Sequence, residues 1–302
     1  FTTRGNPVTY YGDEQGFVGT GGDQLAREDM FASKVAVYNG EDVLGGPEGS
    51  RDRYSTTHPI YRHLAALARL RAQNPVLADG AQVQRYADDG AGIFAISRVG
   101  SSDRGGGRDD RHGSSKPREY LVAANNSTTA KSATFDTWTP NGAFLPLSGS
   151  SAVLRTKADG KVTVTVPPLT VAVWKATSPI STRVAAPTVS MDLAPGSGVH
   201  DRAEVSASVD SGTLAQATFW YRPVGTKRWQ LLGTDDNAPY RVFHDTSALP
   251  QGTLVEYRAV AHDLGGAYSA DSGYGIVGTP APVGGPVGEV GPITQPDAVS
   301  VP

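Results

Sequence analysis

Residues 5–16 of this 302-residue chain read GNPVTYYGDEQG, and the prediction of the fold begins from this stretch. The segment Pro7–Tyr11 is predicted to be a β-strand, because a proline is tolerated at the first position of a strand and Gly12 closes the run. Residues 12–57 are punctuated by glycine and are predicted to form one long loop region. A short helix is expected within this region, near Glu28–Tyr38.

An amphipathic helix is predicted over Pro59–Gln73, with Thr56 or Thr57 as its N-terminal cap. Its apolar positions recur every three or four residues and are Ile60, Leu64, Leu67 and Leu70. A strand, a long loop and a helix form a single β/α unit, which cannot by itself bury both faces of a strand of the parallel type. Residues 1–75 are therefore expected to be the end of a larger, truncated domain.

Short strands bounded by turns dominate the next hundred residues, and they predict a β-sandwich over residues 76–177. The clearest of them is Lys161–Val166, in which valine alternates with threonine as in a half-buried antiparallel strand. The others are Gln82–Ala87, Gly92–Arg98, Glu119–Ala124, Ala130–Asp136, Ala152–Thr156 and Thr170–Lys175. The Gly-, Ser-, Arg- and Asp-rich run Ser101–Lys116 between them is interpreted as a flexible surface insertion, because its acidic and basic residues balance.

A Ser/Thr/Pro-rich linker is predicted at residues 178–187, and a further β-sandwich of the immunoglobulin or fibronectin type III kind at residues 188–274. Its predicted strands are Thr188–Leu193, Ala203–Val209, Gln216–Pro223, Trp229–Thr234, Tyr240–Asp245 and Thr253–Asp263. Tyr257 resembles the tyrosine that hydrogen-bonds back to the corner between two strands in such domains. Residues 275–302 are rich in Gly and Pro, and are expected to be a tail or a linker.

Charge and composition exclude several classes of protein. The chain has 27 basic and 30 acidic residues and shows no basic stripe, so we expect no nucleic-acid partner. No apolar run approaches the ~20 residues that span a bilayer, so we expect no membrane partner. The absence of cysteine excludes disulfides, thiolate zinc sites and cysteine nucleophiles.

The stretch at residues 5–16 resembles the eighth-strand motif of the α-amylase family, glycoside hydrolase family 13. In that family the motif is Gly-x-Pro, two or three apolar or aromatic residues, Tyr, Gly, an acidic or amide residue, Glu, and often Gln-Gly. The resemblance covers residues 1 to about 177 and includes the order of loop, helix and β-sandwich. It implies a multi-domain chain, with the last β/α unit of a (β/α)8 barrel followed by two antiparallel β-sandwich domains.

The resemblance also implies hydrolysis of α-glucosidic bonds with retention, by a nucleophilic Asp, an acid/base Glu and a second Asp. These carboxylates are expected upstream of Phe1, so no catalytic residue is assigned in this chain, which by itself is expected to be inactive. Asp23 and Arg27 resemble a family pair that contacts glucose units, since a carboxylate and a guanidinium complement vicinal hydroxyls. The alternative is a plain salt bridge within the loop.

Other candidate residues receive structural interpretations. Asp13 and Glu14 are adjacent at a predicted strand end and so are not expected to flank one bond. Three His-Asp pairs, at residues 200–201, 244–245 and 262–263, are assigned to loops and strand ends. Trp220, Tyr221 and Trp229 could stack on sugar rings if they are exposed on one face. Phe219 and Tyr221 alternate with Trp220, so one set is expected to be core, and core packing is favoured over a starch-binding platform.

The sequence therefore predicts the C-terminal fragment of a secreted α-amylase-type glycoside hydrolase that acts on starch or a related α-glucan. Secretion is inferred from the size of the substrate and the accessory domain, and a monomer is expected. No cofactor or metal site is expected within this chain, and the family resemblance implies calcium only in the parent protein. Two alternatives remain open, a pullulanase-like debranching enzyme of the same family and a non-catalytic carbohydrate-binding scaffold.

Overall fold

A computed structural model describes residues 1–19, 22–100, 116–181, 185–194 and 196–278. The chain divides into two compact units, Phe1–Val184 and Ala185–Pro302. The first unit includes both residues 1–75 and the sandwich that follows them. Most of the predicted insertion Ser101–Lys116 lies outside the described residues.

Three α-helices are described in the first unit, namely α1 (Ala36–Asn39), α2 (Pro59–Gln73) and α3 (Val76–Asp79). The bounds of α2 match the prediction, but its cap is different. Nδ1 of His58 accepts the N–H of Ile60 and so caps the helix, in place of a threonine hydroxyl. The helix expected near residues 28–38 is reduced to the single turn of α1.

The strand expected at Pro7–Tyr11 does not form, and this part of the prediction is wrong. The segment has no strand partner within the described ranges, and Val8 is 89% exposed. A strand is stabilised by ladder hydrogen bonds and cross-strand packing, so an isolated extended segment has no reason to become one. The structure of the chain therefore does not confirm a barrel-end unit.

The sandwich of the first unit is antiparallel and consists of a six-stranded sheet and a two-stranded sheet. Its strands are β1 (Ala81–Ala87), β2 (Ile93–Gly100), β3 (Arg118–Asn125), β4 (Lys131–Asp136), β5 (Ala143–Ser148), β6 (Leu154–Arg155), β7 (Lys161–Val166) and β8 (Thr170–Ala176). The larger sheet has the order β1-β2-β3-β8-β5-β6, and β4 pairs with β7. The core between them includes Ile93, Leu121, Phe144, Val164 and Trp174.

Each of the seven strands predicted here has a counterpart in the structure. The strand β5 was not predicted, because it contains Pro146, which cannot donate a ladder hydrogen bond. The register between β5 and β8 shifts between Pro146 and Ser148, so the proline lies at an irregularity that accommodates it.

Two arginines connect the first residues of the chain to α3 and to the sandwich. Arg98 on β2 is completely buried, and its guanidinium donates to the backbone carbonyls of Thr2, Leu77, Ala78 and Gly80. Arg71 on α2 donates to the carbonyls of Phe1, Thr3, Gly5 and Leu77. Burial is the main cause that lowers the pKa of Arg98, to about 10, and the nearby Arg71 adds to it. Arg98 is therefore still charged at neutral pH.

A buried carboxylate on the interior strand β3 connects this strand to β1, β2 and the segment after β4. Glu119 is completely buried, and its Oε1 lies 2.9 Å from Nη2 of Arg85 and accepts the hydroxyl of Ser97. Its Oε2 accepts the backbone N–H of Trp138 at 2.9 Å and the hydroxyl of Thr139 at 3.0 Å. The guanidinium carbon of Arg85 also lies 4.0 Å from the centre of the Trp138 ring. Charge, hydrogen bonds and ring stacking thus converge on one buried pair.

The second unit contains a five-stranded sheet and a three-stranded sheet. Its strands are β9 (Thr188–Met191), β10 (Ser197–Val199), β11 (Arg202–Asp210), β12 (Ala215–Pro223), β13 (Gln230–Asp235), β14 (Tyr240–Asp245), β15 (Leu254–Asp263) and β16 (Tyr268–Val277). The sheets have the orders β10-β16-β15-β12-β13 and β14-β11-β9. The strands β10 and β16 were not predicted. The strand β16 extends three residues into the predicted tail, residues 275–302. Residues 279–302 of that tail lie outside the described part of the chain.

The two sheets of the second unit meet at Tyr257 and His244. The Tyr257 hydroxyl is 2.8 Å from Nδ1 of His244 on β14, and both side chains are buried. The expected hydrogen bond from Tyr257 to the neighbouring corner is therefore replaced by a contact between the sheets. The ring of Tyr221 lies 4.0 Å from the imidazole, which completes an aromatic layer.

We expect the second unit to lose stability as the pH falls below the ordinary His pKa of 6.5. Burial lowers the pKa of His244 in the folded state, so the unfolded state binds more protons in this range. The contribution cannot exceed about 1.4 kcal/mol per pH unit for one proton. Urea unfolding at about pH 7 and about pH 5 measures it.

The variant His244→Gln should show a smaller loss of stability between the two pH values than the unchanged protein. The variant His262→Gln is the matched control, because that imidazole is exposed and should leave the pH dependence unchanged. An equal pH dependence in His244→Gln and the unchanged protein would contradict this assignment.

Candidate functional site

A tight turn follows the two tyrosines at positions 10 and 11. Oδ2 of Asp13 accepts the N–H of Tyr10 at 2.9 Å, and Oε2 of Glu14 accepts the N–H of Gly12 at 3.1 Å. Both carboxylates therefore stabilise the backbone of their own turn, a single 3-10 turn at Asp13–Gln15 rather than a strand end. This geometry excludes the pair as an acid and a base on opposite sides of one bond.

The turn is attached to a more distant part of the loop region. Gln15 exchanges two hydrogen bonds with the backbone of Ser55, and the carbonyl of Gly16 accepts the N–H of Leu44 at 2.9 Å. Gly16 has φ of 79°, and an added Cβ would lie 2.2 Å from the carbonyl oxygen of Leu44. Only glycine suits this close approach of two backbone segments.

Tyr10 and Tyr11 form an exposed aromatic pair just before this turn. Their ring centres are 4.7 Å apart and tilted by 45°, and the residues are 53% and 43% exposed. Successive residues of a strand would point to opposite faces, whereas here the rings lie together because no strand forms.

Asp23 and Arg27, the two residues predicted to contact substrate, form an ion pair. Oδ2 of Asp23 is 2.9 Å from Nη2 of Arg27, and the side chains are 80% and 55% exposed. A turn in which the N–H of Ala26 donates to the carbonyl of Gly22 sets this spacing. The salt bridge within the loop thus forms, and its exposed polar atoms face solvent, while contact with substrate stays a prediction.

Arg27 also lies within electrostatic range of the tyrosines. Partial desolvation and the neighbouring Tyr10 raise the pKa of Tyr11, while the positive charge of Arg27 acts in the opposite direction. We call Tyr10, Tyr11, Asp23 and Arg27 the Tyr–Arg cluster. It presents two aromatic rings, a carboxylate and a guanidinium, which suits a ligand with apolar ring faces and many hydroxyls.

Glu28 follows the cluster directly but is buried, with 3% of its surface exposed. Burial and the nearby Glu41 raise the pKa of this carboxyl, and Arg53 opposes the shift. Sequence reasoning did not single it out, because nothing in the local pattern distinguishes a buried carboxylate from the exposed ones around it.

The three His-Asp pairs all lie in the second unit at the ends of strands, as expected. His200 pairs with its own neighbour Asp201 at 3.1 Å, in the short connection between β10 and β11. Oδ1 of Asp263 accepts two backbone N–H groups of the following turn. These contacts are local, and none brings two carboxylates together across a cleft.

The aromatic residues of β12 divide between the two faces of the sheet. Phe219 is fully buried and Tyr221 packs against the same core, so the expectation of core packing holds for Tyr221. Trp220 points to the opposite face, and Trp229 lies against two arginines rather than in the core. The expectation of core packing is therefore wrong for the two tryptophans.

Within the described ranges, no group of three or more His, Asp or Glu side chains is arranged to hold a metal ion. No helix of the same ranges has both the length and the apolar character of a bilayer-crossing segment.

The chain thus forms two β-rich units, and the loop region of the first carries an exposed ion pair and an exposed tyrosine pair. The chain is 45% identical over 268 residues to an α-amylase of Streptomyces lividans. The match covers 88% of this chain and 28% of that protein. The chain therefore carries a C-terminal region of the α-amylase family.

Two further comparisons give weaker likeness. A beta/alpha-amylase of Paenibacillus polymyxa is 28% identical over 178 residues, covering 57% of this chain and 11% of that protein. A solved α-amylase structure from Anoxybacillus overlaps 47% of this chain and 27% of its own, with a TM-score of 0.32 and 21% identity. No family model matches the chain. The chain thus spans 28% and 11% of the lengths of these two curated relatives.

Proposed function

We propose that this chain is part of a longer glycoside hydrolase that cleaves α-glucosidic bonds in starch or related α-glucans with retention. The similarity to the Streptomyces lividans α-amylase over 88% of the chain carries this proposal. The catalytic carboxylates belong to the rest of the enzyme, so the 302-residue chain alone does not hydrolyse glucans. The enzyme is secreted, because a glucan polymer is too large to reach an enzyme inside the cell.

The Tyr–Arg cluster supports this function as a contact site for glucose units. Arg27 retains N–H donors that are not used by Asp23, and Asp23 retains acceptor positions, so both remain available to vicinal hydroxyls. The exposed rings of Tyr10 and Tyr11 supply the flat apolar surface on which a pyranose ring packs.

The test uses the longer protein and soluble maltooligosaccharides, with reducing ends assayed for rate and the anomer of the product followed by NMR. The double substitution Asp23→Ala and Arg27→Ala should raise KM about tenfold and change kcat by less than about twofold, because it removes binding and not chemistry. The α-anomer should appear first, as retention requires.

The matched control replaces Glu204 and Arg241, another exposed ion pair, at 3.2 Å in the second unit, by alanine. This control should leave KM unchanged. An unchanged KM in the Asp23 and Arg27 variant would contradict the assignment of the cluster, and no hydrolysis of any α-glucan by the unaltered enzyme would contradict the function.

A further inference from the structure

The outer face of the five-stranded sheet in the second unit carries tryptophan and arginine side chains. Because Phe219 and Tyr221 point into the core, Trp220 and Arg222 point away from it. Arg258 on β15 lies directly opposite Trp220 in the register of the two strands. We call Trp220, Arg222, Trp229, Glu256 and Arg258 the Trp–Arg face.

Trp229 is held over both guanidinium groups. The guanidinium carbons of Arg222 and Arg258 lie 4.5 Å and 4.8 Å from the centre of its ring. Arg222 donates to Oε2 of Glu256 at 2.7 Å, and Nε of Arg258 donates to the hydroxyl of Ser272 at 3.1 Å. The planar side chains are therefore fixed before a ligand arrives, which lowers the entropy lost on binding.

The surroundings of this face are apolar and accessible. Four large side chains at the same face or its edges are between 40% and 57% exposed, and they are Leu231, Leu254, Tyr274 and Ile276. Monomeric proteins seldom leave aromatic and aliphatic residues exposed together, and such patches mark binding sites. Stability of the isolated unit gives no reason for them, because its core lies on the other face of the sheet.

The charges of the unit favour a neutral ligand. Glu256 compensates Arg222 and lies 3.9 Å from Arg258, so the face has little uncompensated positive charge. Between residues 185 and 278 ten acidic side chains stand against six basic ones, which gives a net charge of −4 and opposes binding of a polyanion.

We propose that the Trp–Arg face binds a neutral α-glucan chain, with the indole rings of Trp220 and Trp229 packing against sugar rings. The guanidinium N–H groups of Arg222 and Arg258 that are not used by Glu256 and Ser272 supply donors for the hydroxyls. This assignment of the ligand rests on the proposed function, because the site chemistry alone defines only a neutral polyhydroxylated polymer. The site is the outer face of a sheet, which suits an extended chain better than a small molecule that needs a closed pocket.

Affinity electrophoresis of the 302-residue chain in gels that contain soluble amylopectin tests the proposal. The unaltered chain should be retarded, and its tryptophan fluorescence should change when maltoheptaose is added. The variants Trp229→Ala and Trp220→Ala should each weaken binding at least about tenfold, the loss expected when a central aromatic residue is removed. Far-UV circular dichroism verifies that each variant is folded.

The matched control is Trp138→Ala, since this tryptophan is also part-buried and stacked on an arginine but lies in the first unit. It should leave retardation unchanged. No retardation of the unaltered chain, or equal retardation of all three variants, would overturn the proposal. Retardation by dextran sulfate but not by amylopectin would instead indicate a polyanion site, and self-association that disappears in Trp229→Ala would indicate a protein interface; either result overturns it.

The outcome is separable from that of the proposed function. If the longer enzyme hydrolyses maltooligosaccharides while the 302-residue chain fails to bind amylopectin, only the Trp–Arg face is rejected. If the chain binds amylopectin while the longer protein hydrolyses no α-glucan, the face stands and the enzymatic function is rejected.

Discussion

Replacing Glu119 by alanine should lower the free energy of unfolding of the first unit by about 3–5 kcal/mol. The substitution leaves the guanidinium of Arg85, only 10% exposed, without its carboxylate in the interior. It also deprives the hydroxyls of Ser97 and Thr139 and the N–H of Trp138 of their acceptor. Breaking one side of a buried pair is costly because the remaining charge is neither paired nor hydrated.

Urea unfolding monitored by tryptophan fluorescence measures this loss. The free energy of unfolding of the conservative variant Glu119→Gln should lie between those of the unchanged protein and Glu119→Ala, because an amide keeps one acceptor oxygen. This variant also provides a second measurement if the alanine variant does not fold. The control is Asp136→Ala, which breaks the exposed pair with Lys161 and should cost less than about 1 kcal/mol. Equal losses of stability in Glu119→Ala and Asp136→Ala would show that the buried network contributes no more to the free energy of unfolding than an exposed ion pair does.

Replacing Arg98 by methionine should lower the free energy of unfolding by about 3 kcal/mol. Methionine fills much of the same volume, but it cannot donate to the carbonyls of Thr2 and Gly80, which then lack this strong donor, and it leaves the carbonyl of Leu77 with Arg71 alone. The same change should speed amide hydrogen exchange in the region of α3, because this short helix is held by the guanidinium.

The exposed Arg69 on α2 provides the control for this prediction. Its guanidinium makes one contact within the helix, to the carbonyl of Ala65, so Arg69→Met should change stability by less than about 0.5 kcal/mol. Unchanged exchange near α3 in Arg98→Met would contradict the role of the buried guanidinium.

Strands in which apolar and polar residues alternate strictly could be predicted from the sequence. Strands whose pattern is interrupted by glycine or proline could not. Lys161–Val166 alternates valine and threonine, and its predicted bounds are those of the structure. The strand β16 contains Gly273 and Gly275, which carry no side chain and weaken the pattern, although its pairing with β15 is long and regular. The segment Pro7–Tyr11 has the pattern of a strand without a partner, and local sequence does not reveal whether a partner exists.

The candidate site also has features that the sequence indicates and features that it does not. The four-residue spacing of Asp23 and Arg27 indicates their ion pair, because such a spacing brings two side chains together over one turn. The proximity of Tyr10 and Tyr11 could not be predicted, since a strand would have separated them. The position of Trp229 over two guanidiniums depends on the register of β12 and β15 and on the path of the preceding loop, which are tertiary features.

The carbonyl of Leu77 accepts from Arg71 on α2 and from Arg98 on β2, and so one backbone oxygen joins a helix to a sheet through two charged donors. Breaking either hydrogen bond requires a guanidinium to give up its backbone acceptor, and no carboxylate of the described residues is paired with it as a replacement. The helix and the sheet are therefore thermodynamically coupled, and they should melt as one cooperative block instead of in succession.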